Sequence, residues 1–245
     1  MKILGIIPAR YASTRFPGKP LVDIKGKSMI QRVYEQSCKA SLLSDVVVAT
    51  DDERIETAVK RFGGKVVMTS SSHRSGTDRC CQVVNEHDNQ YDAVVNIQGD
   101  EPFINPSQID LVAEIISGNA DIASLCKPIV DIRELISENA VKVVFDNDGN
   151  ALYFSRYAIP FLRNGGDMDT WLAKRTFYKH IGIYAYKTEV LKTIAALPQS
   201  GLEMAESLEQ LRWLENGFKI RMGITEFESY SIDVPDDVQN VLKYF

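Results

Sequence analysis

Three cationic residues stand close together near the start of the chain. Arg10, Arg15 and Lys19 share a stretch with small hydroxyl residues and several Pro and Gly. The apolar run at residues 3–7 predicts a buried strand, so the cations belong to the loop at its carboxyl end. Ligands bind at the carboxyl ends of strands in open α/β sheets, and clustered Arg and Lys suit a polyphosphate. A basic loop that only favours solubility is the alternative.

A second polar cluster, residues 70–79, follows a predicted strand and opens a predicted helix. A helix N-terminus flanked by Ser, Gly and Arg can bind an anion or a base edge. Either Ser75 or Thr77 is also expected to cap the helix with its hydroxyl, and both roles are compatible. Capping alone gives no reason for Arg74 and Arg79, so the cluster is a second candidate ligand site.

Two aspartates stand where predicted strands end. Asp100 follows Gly99, whose lack of a side chain allows close backbone approach. Asp233 precedes a predicted helix that starts with a proline. Mg²⁺ in proteins usually takes one or two carboxylates together with substrate phosphates, so this pair is a candidate metal site. The alternatives are a turn residue for Asp100 and an N-cap for Asp233.

Strand and helix patterns alternate through the first half of the chain. β-branched apolar runs predict strands, and apolar residues at helical spacing predict the helices between them. In order, the predicted elements are a strand at 45–49, a helix at 52–62, a strand at 65–69, a helix at 77–85, a strand at 93–97 and a helix at 106–117. This βαβα order implies a parallel sheet with helices on both faces.

The pattern changes in the second half of the chain. Residues 141–154 predict a hairpin around a Gly-containing turn, and residues 177–186 predict a further strand. One amphipathic helix is predicted at 203–216, with Glu203 and Glu206 on its surface. No linker, repeat or low-complexity tract divides the chain, so we expect one mixed domain.

Composition is ordinary for a soluble globular protein, with 245 residues, 44% of them hydrophobic and 25% charged. The formal net charge of −5 argues against nucleic-acid binding, which usually needs a basic face. The four cysteines lack CxxC spacing and are expected to be buried free thiols in a reducing compartment. The apolar start ends at Pro8, too short for a signal-peptide core or a membrane span, so we expect a cytoplasmic protein with no membrane partner.

Two common nucleotide-binding motifs are not favoured. Residues 26–28 resemble the end of a P-loop, but Leu21 stands where that motif requires Gly. No G-x-G-x-x-G run follows the first predicted strand. The sequence therefore favours neither a P-loop kinase nor a dinucleotide-dependent dehydrogenase of the usual type.

Motifs spread in order over nearly the whole chain resemble those of the 3-deoxy-manno-octulosonate (Kdo) cytidylyltransferases. They are Pro8-Ala9-Arg10, Ser13-Thr14-Arg15, Pro17-Gly18-Lys19, residues 73–79, residues 96–102, Tyr153-Phe154-Ser155-Arg156 with Ile159-Pro160, residues 178–184, residues 208–212 and residues 233–237. The first motif alone also fits other nucleotidyltransferases, whereas the later ones are specific to the Kdo enzymes. Phe161 and Val234 depart from the family's frequent Tyr and Thr, and neither change removes a charged group.

This resemblance implies a Rossmann-like nucleotidyltransferase fold of the α/β class. Its central sheet is expected to be mostly parallel, with an inserted part for substrate binding and dimerisation. Residues 1–245 would form a single domain, in which 1–125 mainly bind nucleotide and 126–230 mainly bind sugar and form a homodimer. The implied reaction joins CTP and Kdo into CMP-Kdo and pyrophosphate with Mg²⁺, and so activates Kdo for lipopolysaccharide synthesis.

The resemblance also assigns roles to individual residues. Arg10, Arg15, Lys19 and Asp100 are implied as catalytic, and Asp100 and Asp233 are implied as Mg²⁺ ligands. The residues implied for nucleotide binding are Pro8, Ala9, Arg10, Lys19, Arg74, Ser75 and Gln98. Those implied for sugar binding are Gln98, Arg156, His180, Tyr184, Glu209 and Gln210.

Some of these roles have structural alternatives. Arg156 follows the predicted hairpin and is favoured for the carboxylate of the sugar. His180 could equally be a core histidine with satisfied hydrogen bonds, because it lies inside a predicted strand. Glu209 could pair with Arg212 on a solvated helix face.

Other functions remain open at this stage. One is a cytidylyltransferase for another acid sugar such as sialate, which differs only in the sugar it uses. A glycosyltransferase usually needs a D-x-D pair, which the adjacent Asp51 and Asp52 do not form. A nucleotide sensor without turnover is the non-enzymatic alternative, and the density of cations in the first loop argues against it.

Overall fold

The fold is organised around one mixed sheet in the computed structural model, which describes residues 1–12, 16–87 and 90–242. In chain order the strands are β1 (Ile3–Ala9), β2 (Asp23–Ile24), β3 (Lys27–Ser28), β4 (Asp45–Thr50), β5 (Val66–Met68), β6 (Ala93–Asn96), β7 (Ile122–Pro128), β8 (Lys142–Phe145), β9 (Ala151–Ser155), β10 (Tyr178–Lys187) and β11 (Ile220–Ile224). β2 and β3 form a separate small hairpin, and the other strands belong to the main sheet.

Helices connect most of these strands. They are α1 (Met29–Ser37), α2 (Glu53–Arg61), α3 (Gly76–Glu86), α4 (Pro106–Ser117), α5 (Ile132–Ile136), α6 (Trp171–Lys174), α7 (Thr188–Ala195), α8 (Gly201–Glu206), α9 (Gln210–Glu215) and α10 (Pro235–Leu242), with 3₁₀ turns at Lys19–Leu21 and Met168–Thr170. Among the helices of the described residues, none is both long and apolar enough to cross a membrane.

The main sheet has the strand order β11-β7-β10-β6-β1-β4-β5. Four of the six pairings along this path are parallel, and the two exceptions are those of β10 with β6 and with β7. The β8–β9 hairpin attaches through β8 to the start of β10. The predicted α/β fold with a mostly parallel central sheet is confirmed.

Helices cover both faces of this sheet, as the βαβα order predicted. On one face α1, α2 and α4 bury their apolar residues against the strands, and on the other face α3, α7 and α9 do so. Strands covered on both sides read as continuous apolar runs, which explains the composition of β1. β10 lies between β6 and β7, and five of its ten residues are buried and the others half-buried. The division of the chain at residue 125 stays a prediction, because one sheet runs through both parts.

The single helix predicted at 203–216 is wrong. The structure has two short helices, α8 and α9, separated at Ser207, whose φ of 52° is left-handed. That conformation ends a helix, and α9 then continues in a new direction. Apolar periodicity did not reveal the break, since Leu208 and Leu211, which follow it, are buried as they would be in a continuous helix.

The prediction that Glu203 is a surface residue is also wrong, whereas Glu206 is half-buried. Glu203 is 6% exposed, and its two carboxylate oxygens accept hydrogen bonds of 2.7 and 2.6 Å from Arg212. Burial opposes the ionisation of Glu203, but Arg212 outweighs it and the pKa of Glu203 is lowered. Glu206 accepts hydrogen bonds from the Ser155 hydroxyl and the Arg156 N–H. The break between α8 and α9 creates these contacts, which a continuous helix would not make.

All four cysteines are free thiols, as expected. Cys80 and Cys126 are buried and Cys81 is half-buried. Cys38, which directly follows α1, is exposed, so the prediction of burial is wrong for this residue.

We expect Arg212→Met to lower the free energy of unfolding by about 3–5 kcal/mol, because it leaves the buried carboxylate of Glu203 without its partner. Urea denaturation measures this change. The matched control is Arg133→Met, since Arg133 pairs with Asp131 on the surface and is 86% exposed. Exposed pairs contribute about 0–1 kcal/mol. Equal losses in the two variants would contradict the role of the buried pair.

Candidate active site

A cleft of about 380 Å³ opens at the carboxyl ends of β1 and β6. Nine residues predicted for the site line it, namely Pro8, Ala9, Arg10, Lys19, Arg74, Ser75, Gln98, Asp100 and Asp233. Arg15 lies outside the described residues. The cleft is also lined by residues that the prediction did not include: Pro20, His73, Gly76, Arg79 and Gly99. Each of these lies within the predicted polar segments or directly beside Lys19, so proximity in the chain is the signal that could have found them.

The backbone of Lys19 is positioned by a hydrogen bond that joins the two ends of the loop after β1. The Gly18 N–H donates to the Tyr11 carbonyl at 3.0 Å, and Gly18 takes a left-handed φ of 72° that few other residues adopt easily. The 3₁₀ turn Lys19–Leu21 starts directly after it. From this turn the Lys19 ammonium lies 2.7 Å from Asp100 Oδ2 and 3.3 Å from Asp233 Oδ1. One ammonium therefore joins the two predicted metal-binding carboxylates.

Asp233 reaches the cleft because the chain folds back near its carboxyl end. Ile232 is fully buried against Ile24 and Met29, and its N–H donates to the Asp100 carbonyl at 3.0 Å. The Asp233 N–H donates to Asp237 Oδ2 at 2.8 Å, which fixes the entry into α10. The backbones of the two aspartates are thus tied together.

The start of α3 forms another wall of the cleft. Ser75 caps the helix, since its hydroxyl accepts from the Asp78 N–H at 3.1 Å. The Asp78 carboxylate accepts in return from the N–H groups of Ser75 and Arg74. The predicted cap is confirmed, and it aligns the helix N-terminus with a cleft that Arg74 also lines. The positive end of the helix therefore favours an anionic or electron-rich ligand.

Arg79 has a structural explanation that sequence reasoning did not find. It is 4% exposed, although it touches the cleft, and it donates to the Thr69 hydroxyl. Its guanidinium also pairs with Asp51 Oδ1 at 3.4 Å. These contacts join α3 to the loops after β4 and β5.

Gly99 allows the segments after β1 and β6 to meet. A Cβ at this position would lie 2.7 Å from the Pro8 carbonyl oxygen, closer than real contacts allow. Pro8 and Gly99 both line the cleft, so the width of the cleft depends on this approach.

Gln98 connects the first cleft with a second, more open one of about 700 Å³. Its amide donates to the Gly182 carbonyl at 2.8 Å, and Gly182 and His180 line the second cleft. The His180 ring lies 2.9 Å from the Ser124 hydroxyl, and burial lowers the pKa of His180 to about 3. The ring is therefore neutral at physiological pH and has the hydrogen bond expected of a core histidine.

Three other predicted sugar residues lie behind the first cleft. Glu209 Oε2 accepts from the Thr77 hydroxyl at 2.8 Å, and Thr77 is the second residue of α3. Burial raises the pKa of Glu209, although Thr77 and Arg212 oppose the shift. Tyr184 is buried against Trp213, and Gln210 is buried as well. Of the three, Glu209 is joined to the start of α3 through Thr77, and the sugar-binding role of all three stays a prediction.

Arg156 directly follows β9 and contacts the end of α8. Its guanidinium donates to the backbone carbonyls of Glu206 at 2.7 Å, Ser207 at 3.3 Å and Glu138 at 3.0 Å. Lys142, buried below it, donates to the Arg156 carbonyl. Arg156 thus braces the break between α8 and α9, and its proposed contact with a sugar carboxylate stays a prediction.

Comparison with known proteins agrees with this geometry. The sequence profile described as cytidylyltransferase matches residues 4–220. A 3-deoxy-manno-octulosonate cytidylyltransferase of Bacteroides thetaiotaomicron is 58% identical, over 100% of this chain and 98% of the relative. One of Parabacteroides distasonis is 57% identical over 100% and 98%. The chain belongs to the 3-deoxy-manno-octulosonate cytidylyltransferase family. The resemblance read from the motifs is confirmed.

A solved structure of this cytidylyltransferase family has the same fold. It is described as CMP:2-keto-3-deoxy-manno-octonic acid synthetase complexed with CTP. It is 42% identical to this chain, with a TM-score of 0.91. The alignment covers 100% of this chain and 98% of the solved one. The predicted nucleotidyltransferase fold is therefore confirmed over the full length.

We expect Gly99→Ala to push apart the backbones that form the cleft. Overpacking of this kind costs about 1–3 kcal/mol, so the free energy of unfolding should fall by that amount, with weaker CTP binding by calorimetry. Gly201→Ala is the control, because a Cβ there would meet its nearest neighbour only at 3.8 Å. If both variants bind CTP as the unchanged protein does, the close approach at Gly99 does not shape the cleft.

Proposed function

We propose that this protein transfers the cytidylyl group of CTP to Kdo, forming CMP-Kdo and pyrophosphate. The observation that carries the proposal is one cleft that combines Arg10 and Lys19, the Asp100–Asp233 carboxylate pair and the start of α3. The names of the similar proteins and the CTP complex of the similar structure support the choice of substrates. A cytoplasmic location and the supply of activated Kdo for lipopolysaccharide synthesis belong to the same proposal.

In the proposed reaction, the anomeric hydroxyl oxygen of Kdo attacks the α-phosphorus of CTP. A bond forms between these two atoms while the bond from the α-phosphorus to the bridging oxygen breaks, so that pyrophosphate leaves and the hydroxyl proton is released to water. Negative charge accumulates on the leaving oxygens, and catalysis depends mostly on positioning and charge stabilisation. Arg10 and Lys19, with Arg15 in the same loop, supply positive charge for the β- and γ-phosphates.

The nucleoside part of CTP is assigned to the opposite wall. Arg74 and Ser75 at the start of α3 face the cleft together with Pro8 and Ala9 at the end of β1. This wall offers a guanidinium, a hydroxyl and backbone groups, which suit the edge of a cytosine base and the ribose. The rigid capping of α3 keeps these groups in place.

The residues of the cleft fit the proposed Mg²⁺. Asp100 and Asp233 converge on one cationic atom, the Lys19 ammonium, which shows that both carboxylates can serve a single positive centre. Within residues 1–12, 16–87 and 90–242, no group of three or more His, Cys, Asp or Glu side chains is arranged to hold a metal. Mg²⁺ usually needs only one or two carboxylates when phosphates complete its shell. When bound there, it would neutralise phosphate charge and lower the pKa of the attacking hydroxyl.

The acid sugar is assigned to the region between the two clefts. Gln98 lines the first cleft and donates a hydrogen bond to Gly182, which lines the second cleft. We therefore assign Gln98 to the boundary between the nucleotide and the sugar. The other sugar-binding candidates are Arg156, His180, Tyr184, Glu209 and Gln210. Because His180 is neutral at physiological pH, it would contribute hydrogen bonding and not charge.

Release of pyrophosphate tests the proposed reaction. We expect release with CTP and Kdo, and no release when sialate replaces Kdo. Asp100→Asn should lower kcat by about 10²- to 10³-fold, the usual effect of losing one charge-stabilising group. Asp121→Asn is the matched control, since Asp121 is an exposed surface carboxylate paired with Lys187. Turnover with sialate alone, or full activity of Asp100→Asn, would contradict the proposal.

The homodimer is part of the same proposal. Several large apolar side chains on residues 126–230 are exposed, including Val130 at 83%, Phe161 at 72% and Tyr157 at 70%. Phe161 packs on Trp171 of a small apolar cluster, and Val130 and Tyr157 directly neighbour two other members of it, Ile129 and Ala158, in the chain. Exposed apolar patches of this kind are typical of protein interfaces. A second copy of the chain is the proposed partner. The strand 177–186 as a whole is a poor interface element, because most of β10 is inside the sheet.

We expect light scattering to give twice the chain mass of 27.5 kDa for the unchanged protein. The double variant Tyr157→Glu/Phe161→Glu should give a single chain mass, because two charges would have to be buried at the interface. Leu42→Glu serves as the control, since Leu42 is exposed but lies in the first half of the chain. A monomeric unchanged protein at micromolar concentration would contradict the dimer.

A further inference from the structure

The Lys19 ammonium lies beside two carboxylates, although its proposed role is to bind the phosphates of CTP. The ammonium lies within 2.7 Å of Asp100 and 3.3 Å of Asp233, and the Lys19 side chain is only 14% exposed. The same ammonium is assigned to the phosphates of CTP, and the same two carboxylates are assigned to Mg²⁺. Two of the three N–H donors of this ammonium are taken up by the carboxylates, and a metal ion bound to the same carboxylates would repel it.

The backbones of the two aspartates are held independently of Lys19. The Ile232 N–H donates to the Asp100 carbonyl at 3.0 Å, and Ile232 is fully buried. The Asp233 N–H donates to the Asp237 carboxylate at 2.8 Å. Because neither bond involves the Lys19 side chain, both backbones stay in place when that side chain moves away.

Lys19 itself combines a fixed backbone with a flexible side chain. Its N–H donates to the Phe16 carbonyl at 3.1 Å, and its carbonyl accepts from the Val22 N–H at 3.2 Å. The four-carbon stem of lysine can swing its charge between nearby partners without disturbing such anchors. Mg²⁺ in proteins is bound through one or two carboxylates and carries twice the charge of an ammonium, so a divalent cation is the better match for the pair.

We propose that the Lys19 ammonium and a divalent cation compete for the Asp100–Asp233 pair, so that metal binding releases Lys19 to the phosphates. This inference rests on the proposed function only for the assignment of the carboxylates to a metal. Lys19 acts as a counter-ion that offsets the repulsion between the two carboxylates before the metal arrives. Arrival of the metal and formation of the phosphate site are thereby linked, because the metal repels the ammonium from the carboxylates and leaves its N–H donors to the phosphates.

Binding of Mn²⁺ to the nucleotide-free protein, followed by electron paramagnetic resonance, tests this competition. Lys19→Met removes the competing charge, so we expect it to bind Mn²⁺ at least about tenfold more tightly than the unchanged protein, a usual size for coupling between ligands. Lys19→Arg keeps a positive charge and should bind as weakly as the unchanged protein. Adding Asp100→Asn to Lys19→Met should abolish the gain.

Lys27→Met is the matched control, because Lys27 pairs with Glu35 at 2.6 Å outside the cleft, and it should leave Mn²⁺ affinity unchanged. Lys19→Gln repeats the test if Lys19→Met does not fold. Equal or weaker Mn²⁺ binding by the Lys19 variants, including no binding by any variant, overturns the competition. A different result would contradict the proposed function, namely no release of pyrophosphate from CTP and Kdo by the unchanged protein. That result would not change the Mn²⁺ affinities by which the competition is judged.

Discussion

The parallel pairing of β1 with β6 is the constraint on which the site depends. The two strands run in the same direction at the centre of the sheet, so the segments that follow them emerge at the same edge. Gly99 lets these segments approach until only a hydrogen atom fits between its Cα and the Pro8 carbonyl. The first loop brings cations to this edge and the second brings Asp100. Charges of both signs are therefore concentrated in one cleft by the backbone alone.

The carboxyl-terminal segment completes the cleft through apolar packing. Ile232 is buried with Ile24 and Met29, and this contact places Asp233 beside a lysine that is 214 residues away in the chain. Burial of one aliphatic side chain contributes about 1.5–3 kcal/mol, enough to hold a short segment in place. The electrostatic part of the site is thus positioned by a hydrophobic contact, and the ion pairs adjust within that frame.

A buried polar chain joins the two halves of the molecule. Thr77 on α3 donates to Glu209, whose other oxygen lies 3.8 Å from Arg212, and Arg212 holds Glu203 with two hydrogen bonds. Groups buried in this way are costly to leave unpaired, so their geometry is well defined. The helix at the first cleft and the region assigned to the sugar are consequently connected by one chain of polar contacts. Arg156 extends it to the hairpin by bonding to the carbonyls at the break after α8.

The sequence by itself determined the alternating elements, the βαβα order and the polar segments after β1, β5 and β6, because these depend on local periodicity and residue type. The helix Pro106–Ser117 has the predicted bounds, since a proline and an Asn cap mark its start. Only the tertiary structure decided the left-handed break at Ser207, the burial of Glu203 and the contact of Lys19 with both aspartates. These depend on packing between segments far apart in the chain, which no local pattern reports. The structure also showed that Arg79 braces the loops after β4 and β5, a role that its neighbours in the sequence did not indicate.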